Sequence, residues 1–517
     1  MEKGQTFIKG ALILSIAGAI SKVLGAVYRI PLARMIGAEG IGLYQMAYPI
    51  YTTILALATA GVPVAISIMV AEKETEGYSG DSIKILRVSL VILFFIGLLL
   101  SFIVMESAGI LADYVLKNPR AYYPILAVAP AIFFAALMSV FRGFFQGHQS
   151  MVPTAVSQVV EQLFRVTAVL VLAYIFVDKG IEYAAAGATF GAVIGGIAGL
   201  AVLIFYYLNF TKKNRSESIK LCYSGERSIS LGKEMIKLAI PVSVGAVVLP
   251  LVQMLDAVIV PGRLIALGYT VSQATALYGH LSGMAAVLIS LPTIFTISIA
   301  TSMVPAISEA KTKNDIGLLV ERLNYGFRGG MLISFPAAAG LFILAFPICD
   351  LLYGAPEAGV PLEPLAFSAI MLAAFQISSA GLQGIGMPKI AMRNLIITGM
   401  FKVIFNYTLT SIPFLNIKGA AIGTVLAFFI GSILNLIYLK RFTGIKYETK
   451  RLVKILLASI VMAAAVRASY QYMVTIDIRS HLATLAAIVI GIGVYGILLI
   501  LVKELDMTIL KKIIRDA

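Results

Sequence analysis

Apolar blocks of about 20 residues recur along the whole chain, and the short connections between them hold most of its charge. A helix of that length crosses the hydrocarbon of a bilayer, and the period-two alternation of a barrel strand is absent. The blocks predict spans at residues 6–30, 41–70, 83–105, 122–145, 151–177, 182–208, 238–260, 278–305, 328–351, 362–384, 393–412, 417–439, 452–473 and 481–502. The expected fold class is therefore all-α, a polytopic membrane protein with about 14 transmembrane helices. The first block is too long and has the wrong residues for a cleaved signal peptide, so it reads as the first helix. The longest connection, Asn209 to Lys237, is too short for a catalytic domain, and any chemistry is expected inside the membrane.

The two halves resemble one another at an offset of about 235 to 242 residues. Gln146, Gly147 and Pro153 are echoed by Gln383, Gly384 and Pro388. Ala188, Thr189 and Gly196 match Gly423, Thr424 and Gly431, and Val62 with Pro63 matches Val304 with Pro305. With six spans between corresponding points both copies run in the same direction, the parallel layout of transporters that rock two bundles about a central site. The expected parts are a six-helix lobe at 1–208, a basic cytoplasmic linker at 209–237, a second six-helix lobe at 238–445, and two further helices with a cytoplasmic tail at 446–517. Pro49, Pro63, Pro130, Pro250, Pro292, Pro336 and Pro347 fall within spans and are candidate kinks. The Gly187, Gly191, Gly195, Gly199 ladder predicts close packing of the sixth helix.

Composition agrees with the membrane reading: 59% of residues are hydrophobic and 13% charged, outside the range of soluble globular chains. When the connections are taken alternately, most of the 41 Lys and Arg residues share one side, among them Lys212, Lys213, Arg215, Lys220, Arg227, Lys440, Arg441, Lys450 and Arg451. That asymmetry makes both termini cytoplasmic. Topology and contact with anionic lipid headgroups account for the net charge of +15, with no nucleic-acid partner. Cys222 and Cys349 match no metal or redox spacing, and no Gly-Lys-Ser/Thr phosphate loop is present.

Lys22, Arg29, Arg165, Lys402 and Arg467 lie within spans, where a charge costs from about 2.5 kcal/mol upward and faces a bundle interior or a wet cavity. Arg29 and Arg467 are near span ends, within snorkelling reach of the interface. In the first helix Ser15, Gly18, Lys22, Gly25 and Arg29 follow helical spacing along one face, with room beside the cations for a ligand or water. A close packing seam gives the same spacing. Thr154, Gln158, Glu161 and Arg165 form a second stripe in the fifth helix, and Glu161 with Arg165 has the spacing of a helical ion pair. That pair serves either a substrate site or neutralisation within the bundle. Thr398, Lys402 and Asn406 share a face of the eleventh helix, and Asp256 with Gln253 marks the seventh. With Arg263, the candidate substrate-binding set is Lys22, Arg29, Glu161, Arg165, Asp256, Arg263 and Lys402; no catalytic residue and no metal ligand is expected. Lys22, Arg29 and Arg165 against Glu161 leave the first lobe an interior of +2, suited to an anion.

The stretches GAEGIGLYQMAYPIY (37–51) and FRGFFQGHQSMVPTAVSQVVEQLFRV (141–166), with the repeat plan, resemble the stage V sporulation protein B and MurJ branch of the multidrug/oligosaccharidyl-lipid/polysaccharide exporter superfamily. The resemblance implies two six-helix lobes about a central cavity and a flippase moving lipid II, the undecaprenyl-pyrophosphate-linked peptidoglycan precursor, to the outer leaflet. It also implies cavity roles for Lys22 and Arg29, and a lipid-tail groove shaped by the last two helices. The first cation is a lysine without the guanidinium fork, and Glu39 is the nearest counterpart of the acidic residue such proteins place in the second helix.

The expected activity is thus transport and not enzymatic catalysis, by a monomer in the bacterial plasma membrane. Expected partners are lipid II or a related undecaprenyl-pyrophosphate glycolipid and anionic membrane lipids. No cofactor is expected, beyond a coupling ion such as Na+ or H+ whose identity the residues do not specify. The alternatives are a flippase for another polyprenyl-linked polysaccharide precursor and a drug or cation antiporter of the same superfamily, which calls for a carboxylate in the first helix. A membrane enzyme acting on polyprenyl-linked sugars calls for paired carboxylates, whereas Asp113, Asp178, Glu357 and Asp477 are scattered.

Overall fold

A computed structural model describes residues 2–216, 222–445 and 447–504. Lys220 of the basic linker and the tail at 505–517 lie outside the described residues. The described chain is helical, with no strand. Its α-helices are α1 (Glu2–Val27), α2 (Arg29–Thr59), α3 (Val62–Thr75), α4 (Ser79–Ile110), α5 (Tyr122–Val128), α6 (Pro130–Gly147), α7 (Val152–Phe176), α8 (Ile181–Ser216), α9 (Ser228–Ala266) and α10 (Val271–Tyr278). They continue with α11 (Ala286–Thr312), α12 (Ile316–Ile343), α13 (Ala345–Tyr353), α14 (Gly359–Leu365), α15 (Ser368–Gly384), α16 (Pro388–Thr410), α17 (Asn416–Thr443), α18 (Thr449–Thr475) and α19 (Ser480–Leu501).

Among the described residues, eleven segments are long and apolar enough to cross a membrane, or twelve if the bent pair α14 and α15 is one span. The expectation of about 14 spans is reconciled by two features. The first segment, Ile13–Thr75, is 63 residues long and contains two of the expected crossings. α16 carries Lys389, Arg393, Asn394, Lys402 and Asn406, and these polar residues exclude it on composition. Within that first segment the chain breaks at Gly37, whose φ of 66° and ψ of −177° only glycine adopts without strain.

Of the candidate kinks, Pro63 and Pro130 interrupt the helix inside the continuous spans Ile13–Thr75 and Pro119–Gly147. Pro63 and Pro130 stand in the first positions of α3 and α6, and Pro347 in the first turn of α13. Pro49, Pro250, Pro292 and Pro336 lie inside helices.

The chain divides into two compact units, Met1–Gly262 with Thr270–Gly279, and Arg263–Tyr269 with His280–Ala517. In the first, α6 packs against α3, α4 and α8, while α7 lies along α8. In the second, α15 packs against α11, α12 and α17, while α16 lies along α17. The internal repeat is thus visible as one packing plan used twice. Its matched glycines do the same work, Gly147 facing Val70 and the carbonyl of Ser67, Gly384 facing Ile307 and the carbonyl of Val304. The two cores also match: Ile66, Leu86, Val140 and Phe144 in the first unit, Ile307, Leu323, Ile377 and Leu382 in the second.

The lobe boundary drawn at 238 differs from this division, because α9 packs in the first unit as far as Gly262. Met235 and Ala239 close the first core. Gly61, lacking a side chain, lets the backbone at Ala239 come close, and its N–H donates to Ser243 Oγ at 3.0 Å. The segment before α9 is held to the α3–α4 turn. Gly80 N–H donates to the Cys222 carbonyl at 2.8 Å. Ser224 N–H donates to Asp81 Oδ2 at 2.8 Å, and Lys73 pairs with Glu226 at 2.8 Å. At the other end of the chain α18 and α19 pack on each other and on α12. α19 is fastened along its length by His481–Asp350 at 3.1 Å, Tyr495 Oη donating to the Leu332 carbonyl at 2.9 Å, and Arg328–Glu504 at 2.8 Å.

Candidate functional site

The fifth predicted span, now α7, carries Glu161 and Arg165 in its middle. Glu161 is clamped between two arginines: Arg165 Nη2, one helical turn on, bonds its Oε1, and Arg142 Nη2 from α6 bonds its Oε2 at 2.8 Å. Arg142 Nε also donates to Ser157 Oγ at 3.2 Å, which ties α6 to α7 twice. The three side chains are between 14% and 18% exposed, so little solvent screens them. Arg142 went unassigned in the sequence because it lies at the end of its predicted span. Its signal was an arginine set among Phe141, Gly143, Phe144 and Phe145.

The glycine ladder on α8 backs this cluster. A Cβ on Gly195 would sit 2.7 Å from the Glu161 carbonyl, and one on Gly199 would sit 3.1 Å from Glu161 Cβ. Gly191 likewise approaches the Arg165 carbonyl. The close packing read from the ladder therefore also presses α7 into the register that holds Glu161 between its arginines.

Arg29 opens α2 and is partly buried. It interacts electrostatically with Tyr28, Tyr44 and Tyr48, and Arg165 interacts with Tyr44, Tyr48 and Tyr51. Tyr44, Tyr48 and Tyr51 follow helical spacing along α2 and form a ring ladder, with centroids 5.5 and 5.7 Å apart. Tyr28 and Tyr44 engage each other's hydroxyls at 2.9 Å. The tyrosines stood in the sequence without an assigned role, although their spacing places them on one face. The buried Nε atoms of both Arg29 and Arg165 lack a hydrogen-bond partner among the described residues.

α1 rests on α7 through Ser21, whose Oγ donates to the Gln158 carbonyl at 3.4 Å, and through Gly25, which faces Gln162. Lys22, beside Ser21, is exposed, and a Cβ on Gly18 would meet nothing within 4 Å. The α1 stripe is accordingly not a closed packing seam.

The other candidates lie elsewhere. Asp256 is partly buried on α9 in the first unit. Arg263 belongs to the second unit, where its Nε donates to Ser411 Oγ at 2.7 Å and its guanidinium lies 4.4 Å from the centre of the Tyr407 ring. Lys402 is partly buried on α16, between the buried Thr398 and Asn406. Glu39 pairs with Arg120 at 2.6 Å, which also holds Glu182 at 3.2 Å. Arg467 is exposed.

The clamp of Arg142, Glu161 and Arg165 carries +1, and Arg29, which shares Tyr44 and Tyr48 with Arg165 as electrostatic partners, raises the local total to +2. Guanidinium donors without partners in a region of low dielectric form charge-assisted bonds of high strength with an anion, and their fork matches phosphate oxygens.

The model of the family described as polysaccharide biosynthesis protein matches residues 7–311. Stage V sporulation protein B of Bacillus subtilis is 35% identical over 423 residues, covering 81% of each chain. Lipid II flippase MurJ of the same organism is 30% identical over 483 residues, covering 89% of this chain and 88% of its own. A solved structure of lipid II flippase MurJ in an inward closed conformation superposes with a TM-score of 0.73 at 17% identity, over 95% of this chain and 99% of that one. At that identity the structural likeness speaks for the fold alone. By the family model and the two curated relatives, this multi-pass membrane chain belongs to the polysaccharide biosynthesis protein family, in the branch of stage V sporulation protein B and MurJ.

Proposed function

We propose that the chain is a flippase that carries undecaprenyl-pyrophosphate-linked peptidoglycan precursor, lipid II, from the inner to the outer leaflet of the bacterial plasma membrane by alternating access. The observation that carries this reading is the surplus of arginine charge within the spans, the Arg142–Glu161–Arg165 clamp and Arg29, with Arg29 Nε and Arg165 Nε unpartnered. A pyrophosphate cannot enter hydrocarbon alone, because burying polar and charged groups without partners costs several kcal/mol each. Arg29 and Arg165 replace its water, Lys22 adds a third cation from α1, and Tyr48 interacts electrostatically with both arginines. Glu161 and Arg142 hold Arg165 in place. The relatives named for lipid II flipping and for sporulation support the substrate class.

With both termini cytoplasmic, outward movement of two negative charges across a membrane with an inside-negative potential is favourable by up to about 2.3 kcal/mol per charge per 100 mV, less what the site neutralises. The emptied cationic site is drawn back by the same field. In this account the membrane potential or an ion gradient drives the cycle, and the protein acts as a monomer without a bound cofactor. The deciding experiment is reconstitution in liposomes with labelled lipid II and an imposed potential. Outward movement that increases with an inside-negative potential is the expected result; no movement of lipid II, with movement of another polyprenyl-linked glycan, would replace the substrate.

A further inference from the structure

The 45° bend between α14 and α15 opens a slot in the second unit. It has a volume of about 370 Å³, inside the range of small-molecule sites, and its wall is apolar: Phe342 from α12, Pro364 and Phe367 at the bend, Ile422, Val425 and Leu426 from α17. Phe342 and Phe367 meet at 5.2 Å between ring centres. One ion pair, Glu363 of α14 with Lys418 of α17, also lines it; Lys418 Nζ stands 3.5 Å from Glu363 Oε2, and the side chains are 40% and 37% exposed. Charge-assisted bonds close to about 2.7–2.9 Å when unopposed, so this pair is loosely made. The ammonium keeps donors, and the carboxylate keeps lone pairs, for a second partner.

The repeat sharpens the contrast. At the matching corner of the first unit Tyr123 and Tyr183 face each other at 4.7 Å between ring centres, with their hydroxyls 3.3 Å apart. The second unit instead holds an apolar slot with one positive and one negative group side by side. Because these helices belong to membrane spans, the amphiphile within reach is a lipid.

We propose that this slot binds one hydrocarbon chain of a membrane phospholipid whose head group carries a primary ammonium, with its phosphate on Lys418 and its ammonium on Glu363. An anionic head group satisfies Lys418 and repels Glu363. A phosphocholine head group offers Glu363 no N–H donor. The assignment is independent of which substrate the arginine cluster receives.

The test is native mass spectrometry of the full-length protein exchanged against phosphatidylethanolamine, phosphatidylglycerol and phosphatidylcholine of identical chains. The wild type should retain phosphatidylethanolamine about tenfold better than either of the others. Glu363→Gln should bring it down to the level of phosphatidylcholine, and Lys418→Gln should weaken retention of both. These two substitutions are at partly exposed positions and should leave the fold intact. Val425→Trp should reduce retention of all three by filling the slot. Equal retention of the three lipids by the wild type would overturn the proposal. So would unchanged phosphatidylethanolamine retention in the Glu363→Gln, Lys418→Gln double variant, or stronger retention of phosphatidylglycerol that is lost with Lys418→Gln alone.

Discussion

Two corresponding three-helix seams solve the same packing problem with different polar groups. In the first unit α6, α7 and α8 meet around Arg142, Glu161 and Arg165, with α8 reduced to glycine where it touches them. In the second, α15, α16 and α17 meet around Ser379, Asn394 and Asn435. Asn394 Nδ2 donates to Asn435 Oδ1 at 2.8 Å, and Asn435 Nδ2 donates to Ser379 Oγ at 2.8 Å. Arg393 Nη2 also donates to Asn394 Oδ1 at 3.4 Å, so an amide ladder with a cation at its edge joins these three helices. The repeat thus joins its helices with an Arg–Glu–Arg clamp in one unit and with amide hydrogen bonds in the other.

The comparison fails first where its largest effect is expected. Arg29→Ala and Arg165→Met should each lower outward lipid II movement in liposomes on the order of a hundredfold, at normal membrane levels. Asn435→Ala should leave the rate within a few-fold. Comparable losses from both seams would remove the distinction between a binding cluster and a structural one.

Stability should separate the seams next. Glu161→Gln leaves Arg142 and Arg165 facing each other without an anion and should cost about 3–5 kcal/mol, read as thermal unfolding in detergent. Asn435→Ala should cost about 1–3 kcal/mol by orphaning the Asn394 and Ser379 partners. The charge-swapped pair Glu161→Arg with Arg165→Glu would set Arg142 against a new arginine, so recovery of activity in that variant would contradict the clamp.

Substitutions with smaller effects test the glycine positions. Gly195→Ala should cost about 1–3 kcal/mol, because its new Cβ would press on the Glu161 carbonyl, whereas Gly18→Ala should stay within about 0.5 kcal/mol in the same melt. At Lys22, arginine should keep most transport and methionine should lose it. Methionine outperforming arginine in an outer-leaflet lipid II assay would take Lys22 out of the anion site.

Much of this was legible along the chain, for reasons that also mark where legibility stopped. The Glu161–Arg165 pair follows from spacing on a single helix, and the repeat follows from matched Gly and Pro residues. Arg142 does not, because its partner is on another helix and nothing local signals which neighbour α6 will meet. The tyrosine ladder was readable as one face of α2, yet only the fold puts Arg29 and Arg165 beside it. The place of α9 was hidden for a similar reason: hydropathy marks a span and is silent about the bundle it joins, which here depends on the bare backbone at Gly61.

The segment that leads into α9 also equips the protein as its own spectroscopic probe. The chain has two cysteines, of which Cys222 is exposed and Cys349 is fully buried in α13. A maleimide dye added to the native protein should label Cys222 alone, on the strand of backbone whose carbonyl accepts from Gly80. Without any engineered site, its emission would then register whether that segment stays docked on the α3–α4 turn during turnover.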